Sequence, residues 1–145
     1  MKKILFTAFL LISGFVSMAA GRVINEKLVQ TFRETYPNAI EINWLEYSDS
    51  YAVNFKEGEI RATIIFSRDG RFLRSTRYYT EKYLPYYLIA AIHEKYPAKK
   101  IYNVAEISTS GEIHYYIKLE DAKTWMTIKV DSDEYIRVVE KFSKA

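Results

Sequence analysis

Apolar side chains recur every fourth position in two stretches of the chain: Ile24, Leu28, Phe32 and Tyr36, then Leu84, Leu88, Ile92 and Tyr96. That recurrence puts one apolar stripe along one side of a helix, so each stretch predicts a short amphipathic helix with a single face to bury. Pro85 suits the first turn of the second helix, where its missing N–H is not needed. Pro37 and Pro97 stop the two helices, because proline disfavours helical geometry in the residue before it. Beyond each proline the period falls to two. Tyr51, Val53 and Phe55 alternate with Ala52, Asn54 and Lys56, and Tyr115, Ile117 and Leu119 alternate with Tyr116, Lys118 and Glu120. Such alternation predicts antiparallel strands with one covered face. Turns are marked by Glu57-Gly58, Arg68-Asp69-Gly70, Asp121-Ala122 and Ser132-Asp133-Glu134.

The two stretches align. At an offset of 60, Leu28, Phe32, Tyr36, Pro37 and Asn43 fall on Leu88, Ile92, Tyr96, Pro97 and Asn103. Four residues separate Glu46 from Tyr51, but eight separate Glu106 from Tyr115, so the second copy is expected to carry a longer loop, residues 107–114. Past it, residues 51–75 lie on residues 115–139 without a gap. A length change confined to a turn is what duplication of a structural unit leaves behind, since loops tolerate insertion and ladders do not. The expected fold is therefore α+β: two tandem repeats of one helix and four antiparallel strands, the first at about 23–79 and the second at about 83–142.

Alternation also sorts the strand side chains. With Ala62, Ile64, Phe66 and Met126, Ile128, Val130 turned to the helices, Arg61, Thr63, Ile65 and Trp125, Thr127, Lys129 turn away. Asn54, Arg71, Tyr116, Lys118 and Tyr135 join them by the same rule. Tyr, Trp and Arg anchor interfaces because they bury large areas at low entropic cost and keep a polar handle. Cross-strand stacking of tyrosines is the bland alternative. Trp44, opposite Val104 in the second copy, is expected at the seam between helix and sheet.

The first residues change the picture. Met1-Lys2-Lys3 precede an apolar run from Ile4 to Val16 and small residues at Ser17-Met18-Ala19-Ala20, the three parts of an export signal cleaved near Ala19 or Ala20. The run falls short of the ~20 apolar residues that span a bilayer, so no stable membrane anchor is expected. Residues 1–20 are read as the signal and 21–145 as one domain, periplasmic or secreted. With no Cys in the chain, an exported domain must rely on its core rather than on disulfides. Without Lys2 and Lys3 the 21 basic residues fall to 19 against 18 acidic ones, which argues against a nucleic-acid partner.

Catalytic patterns are missing. The chain has no Cys and only His93 and His114 as imidazoles, and it lacks a zinc-type His pair, a serine elbow and a phosphate-cradling glycine loop. An enzyme is not expected, nor any cofactor. Asp131, Asp133 and Glu134 could offer oxygens to calcium, but the stretch lacks the glycine and the distant glutamate of an EF-hand.

Tyr36-Pro37-Asn38-Ala39, Trp44-Leu45-Glu46 and Phe66-Ser67-Arg68-Asp69-Gly70, with the decayed second set Tyr96-Pro97-Ala98 and Val130-Asp131-Ser132-Asp133-Glu134, resemble the periplasmic PepSY-like, β-lactamase-inhibitor-protein-like family. The resemblance implies one long curved antiparallel sheet with both helices on the convex face and a free concave face that grips a partner. It further implies an inhibitory role, of the kind by which PepSY domains hold peptidases in check. The implied partner is a protein or peptide in the cell envelope, held by Arg61, Thr63, Arg71, Tyr116, Lys118, Trp125 and Tyr135. A small-ligand or calcium-responsive envelope protein is the alternative. The second copy departs from the pattern where Glu134 replaces the turn glycine and Val104 the tryptophan.

Overall fold

The computed structural model describes residues 24–145, so the expected export signal at residues 1–20 lies outside the described residues. A helix followed by four strands occurs twice in chain order. The first set is α1 (Glu26–Thr35), β1 (Ile40–Glu46), β2 (Ser50–Glu57), β3 (Ile60–Ser67) and β4 (Phe72–Tyr79). The second is α2 (Tyr86–Lys95), β5 (Lys100–Thr109), β6 (Glu112–Glu120), β7 (Thr124–Val130) and β8 (Ile136–Ser143), preceded by a single 3-10 turn at Glu81–Tyr83. All eight strands form one open sheet in the order β1 to β8, each antiparallel to its neighbours. None of the described helices is long and apolar enough to cross a membrane.

Local chemistry sets the helix ends. Lys27 N–H donates to Asn25 Oδ1 at 3.0 Å, capping α1. Pro85 sits just ahead of α2 and supplies no side-chain cap. Tyr36 and Tyr96 end the helices alike, their N–H groups reaching back to Phe32 and Ile92 carbonyls at 2.9 and 2.8 Å.

Both helices cover the same kind of strand face but fill it differently. Under α1, Phe32 packs with Val53, Phe55, Ala62 and Ile64, with Tyr36, Trp44 and Phe66 at the margin. Trp44 meets Phe32 edge-on at 5.5 Å and stacks on Phe66 at 6.3 Å, the seam position the sequence predicts. Under α2, Leu88 and Ile92 bury Ile101, Val104, Ile117, Leu119, Met126, Ile128 and Val130.

The residues between β5 and β6 are not the loop that the sequence predicts. Ile107, Ser108 and Thr109 pair with His114, Ile113 and Glu112, leaving only a tight turn with Gly111 at φ 105°. The four extra residues lengthen the hairpin instead. They also serve the junction of the two halves, because Arg74, Ser75 and Thr76 of β4 pair with Thr109, Ser108 and Ile107.

Candidate functional site

The face of the sheet that neither helix touches carries most of the residues singled out in the sequence. Trp125 precedes Met126 and Tyr116 precedes Ile117, both buried under α2, so alternation sends Trp125 and Tyr116 to the opposite side. Arg61, Thr63 and Lys118 share it with them, beside Ala62, Ile64, Ile117 and Leu119 on the covered side. Arg71 and Tyr135 stand at strand ends. Both lie in the turns before β4 and β8 rather than on strands, where they close equivalent hairpins by accepting from Ser67 N–H at 2.9 Å and Asp131 N–H at 3.4 Å.

Following the register across the helix-free face shows which of these side chains are neighbours. Arg61 stands opposite Tyr78, Tyr78 opposite Ala105, Ala105 opposite Tyr116, and Tyr116 opposite Lys129. Thr63 lies in the next row, opposite Thr76, and its hydroxyl donates to Asn54 Oδ1 at 2.7 Å. Lys118 lies on the other side of that line, opposite Asn103 and Thr127. Trp125 is four residues before Lys129 on β7, roughly 13 Å along the strand.

Trp125 forms a cluster of its own. Tyr102 meets it edge-on at 5.0 Å, and the ammonium groups of Lys144 and Lys118 lie 4.3 and 5.3 Å from its ring centre. Cations over an indole face are attracted by its ring quadrupole and help hold it in place. Lys144 also donates to Glu120 Oε2 at 2.8 Å.

Tyr78, Tyr102, Ala105 and Arg137 were missed. Tyr102 comes forward only because the β5 ladder is irregular between Ile101 and Asn103, and Tyr78 because the register aligns β4 with β5. Neither is visible in alternation alone.

At one end of this face Lys129 Nζ approaches Asp131 Oδ1 at 2.6 Å and His114 Nδ1 lies 2.9 Å from the same oxygen. The lysine holds the Asp131 carboxyl below the usual carboxylate range. His93, at the end of α2, lies 3.0 Å from Glu81. Among the described residues no three His, Cys, Asp or Glu side chains converge to hold a metal ion, so Asp131, Asp133 and Glu134 form no such cluster.

The helix side has a cleft between the halves, about 470 Å³, with Ser75, Arg77, Glu106 and Ser108 among its lining residues. Arg77 and Tyr79 both donate to Glu106, at 3.2 and 2.5 Å. Burial and this carboxylate together push the Tyr79 hydroxyl pKa upward.

Neither a scan against protein-family models nor a search of curated proteins returns a match. Solved structures do match. A BLIP-like protein from Bacteroides fragilis superposes with a TM-score of 0.59 at 14% identity, covering 83% of this chain and 86% of its own. A DUF2874 family protein from Bacteroides ovatus gives 0.58 at 15% identity, covering 85% and 89%. A Bacteroides eggerthii protein provisionally named as periplasmic gives 0.57 at 13% identity, covering 83% and 89%. At such identities the likeness establishes the fold: this chain has the BLIP-like α+β architecture.

Proposed function

We propose that the chain is an exported periplasmic binding module that engages a protein or peptide segment on the helix-free face of its sheet. The observation that carries this reading is an eight-stranded sheet with one face covered by helices and the other presenting Arg61, Thr63, Tyr116, Lys118 and Trp125 with no element over them among the described residues. Aromatic and guanidinium groups on a rigid, uncovered surface are the composition of an interface. Arg71 and Tyr135 stand in two hairpin turns at its margin. The BLIP-like fold of the Bacteroides fragilis neighbour supports a protein as the partner, and inhibition of that partner as the outcome of gripping it. The provisional placement of the Bacteroides eggerthii neighbour supports the periplasm. A helix and four strands run twice, with Ser67–Arg71 and Asp131–Tyr135 closing matched turns, which supports duplication of a PepSY-like unit.

The test is recovery of envelope proteins by the wild type and by a Trp125→Ala, Tyr116→Ala double variant, with melting curves to confirm that both are folded. Loss of a specific partner from the variant is expected. Equal recovery would end the reading.

The alternative, a small-ligand or calcium-responsive protein, draws on the polar cleft at Arg77 and Glu106. A calcium-dependent rise in melting temperature would favour it, since a ligand that prefers the folded state stabilises that state by mass action.

A further inference from the structure

One line of side chains crosses the helix-free face at right angles to the strands. Lys56 is opposite Arg61, Arg61 opposite Tyr78, Tyr78 opposite Ala105, Ala105 opposite Tyr116, Tyr116 opposite Lys129, and Lys129 opposite Arg137. The order is two cations, tyrosine, alanine, tyrosine, two cations. At the usual spacing of strands it runs roughly 29 Å from β2 to β8.

Like charges directly opposite each other weaken a sheet, and this line places such a pair at each end. One member of each pair is answered within the protein: Glu41 lies 3.9 Å from Lys56 and Asp131 lies 2.6 Å from Lys129. Arg61 and Arg137 are exposed. Among the described residues neither has a carboxylate within 4.0 Å. Between them Ala105 contributes a single methyl group, flanked by Tyr116 and by Tyr78, which is 51% exposed. A short side chain between two aromatic ones is a slot. Aromatic walls of that kind take an aromatic or aliphatic side chain.

We infer that this line is the recognition strip for an acidic polypeptide segment: one apolar side chain enters the slot over Ala105, and carboxylates on either side of it meet Arg61 and Arg137. The inference rests on the open-face reading above and narrows its partner. Arg61 is two strands from Ala105 and Arg137 is three, so the carboxylates sit roughly 10 and 14 Å from the apolar residue, about three to four residues away in an extended chain. Guanidinium groups suit the task because they meet carboxylates through two parallel hydrogen bonds. A nucleic acid fits less well, since its evenly charged backbone wants a continuous positive track. Here the two guanidiniums that form no close ion pair lie five strands apart, with Glu41 beside Lys56 and with Asp131 within the field of both Lys129 and Arg137.

The probe is a fluorescein-labelled synthetic peptide with a glutamate pair on each side of a central phenylalanine, read by anisotropy against the purified protein. Its companions are the same peptide with glutamines and a single-stranded oligonucleotide of similar length. The glutamate peptide is expected to bind, and to weaken by about tenfold or more when Arg61→Gln and Arg137→Gln are combined, when glutamine replaces glutamate, or when Ala105→Leu fills the slot. Raising salt from about 50 to about 300 mM is expected to weaken it as well. Melting curves establish that each variant is folded. No binding of the glutamate peptide, equal binding of the glutamine peptide, indifference to the arginine pair, or tighter binding of the oligonucleotide would overturn the inference. If the arginine double variant recovers the envelope partner as well as wild type while the Trp125→Ala, Tyr116→Ala variant loses it, the acidic strip falls and the open face stands. Full recovery by both variants removes the open face itself.

Discussion

The two halves of the sheet lie under similar helices, yet their cores are built of different material. Beneath α2 the fully buried side chains are aliphatic, with Leu88, Ile92, Ile117, Leu119 and Ile128 filling the space. Beneath α1 the contacts are between rings: Phe32 lies 5.0 Å from Phe55 and 5.2 Å from Tyr36. A cleft of about 360 Å³ opens beside Leu28, Phe32 and Phe66. Branched aliphatic side chains interdigitate without voids, whereas a few large rings leave gaps at their margins. The second half is thus the tightly packed anchor, and the first half is open at its edge.

Truncation is the strongest way to break that comparison. Ile128 has no exposure at all, so Ile128→Ala is expected to cost about 3 kcal/mol by leaving a cavity its neighbours cannot close. Phe66 is only half-buried and borders the cleft, so Phe66→Ala is expected to cost about 1–2 kcal/mol although more atoms are removed. Chemical denaturation of both variants measures the order. A larger loss at Phe66 would reverse the assignment of anchor and open half.

Next in size is the junction. The Glu106 side chain is 13% exposed and accepts from both Arg77 and Tyr79, which belong to the other half. Removing it in Glu106→Ala strands a guanidinium and a buried hydroxyl, a loss expected at about 1–3 kcal/mol in the same measurement. If the loss is small, the halves are held by their backbone ladder alone.

A smaller effect compares two turns of the same design. Gly70 and Glu134 both take positive φ, 85° and 61°, and their N–H groups donate to Ser67 and Asp131 carbonyls at 2.9 Å. A left-handed backbone costs a side-chain-bearing residue about 1 kcal/mol. Glu134→Gly is therefore expected to stabilise the protein by about that amount, and Gly70→Ala to destabilise it similarly. No gain from Glu134→Gly would mean that the glutamate side chain offsets its own strain.

The helices and strand faces were legible because each is written in a single period that tertiary packing respects. Val53, Phe55, Ile117 and Leu119 could be turned to the core by counting twos, and the counting held. It stopped working where the burial signal is not apolar. In β4, Ser75 and Arg77 face the helix side over the cleft between the halves, so no alternation of oil and water marks that strand, and Tyr78 passed unnoticed. The strip from Lys56 to Arg137 was illegible for a stronger reason: it exists only in the register of seven strands, and register is a property of pairing rather than of any one segment. The four residues that distinguish the second copy were visible as an insertion but read as a loop. Their pairing with β4 makes them part of the seam.

The least of the expected effects separates the halves by acid. Asp121 opens the turn between β6 and β7, accepting from Lys123 and Thr124 N–H groups at 2.8 and 2.6 Å and pairing with the Lys99 ammonium. That ammonium first, and the backbone donors after it, hold the carboxyl well below its ordinary value. A carboxyl whose folded pKa is depressed contributes stability that is fully present above the unfolded value of about 3.9 and is lost as pH falls through the folded pKa. The counterpart turn in the first half begins at Glu57, and Ala39 stands where Lys99 stands in the second. Asp121→Asn and Lys99→Ala, the latter installing the residue that the first half carries at that position, are accordingly each expected to flatten the loss of stability between about pH 4 and about pH 2. Denaturation midpoints across that range compare the two variants with wild type. An unchanged acid limb in Asp121→Asn would show that solvent screens even this part-buried pair, leaving the difference between the halves to packing alone.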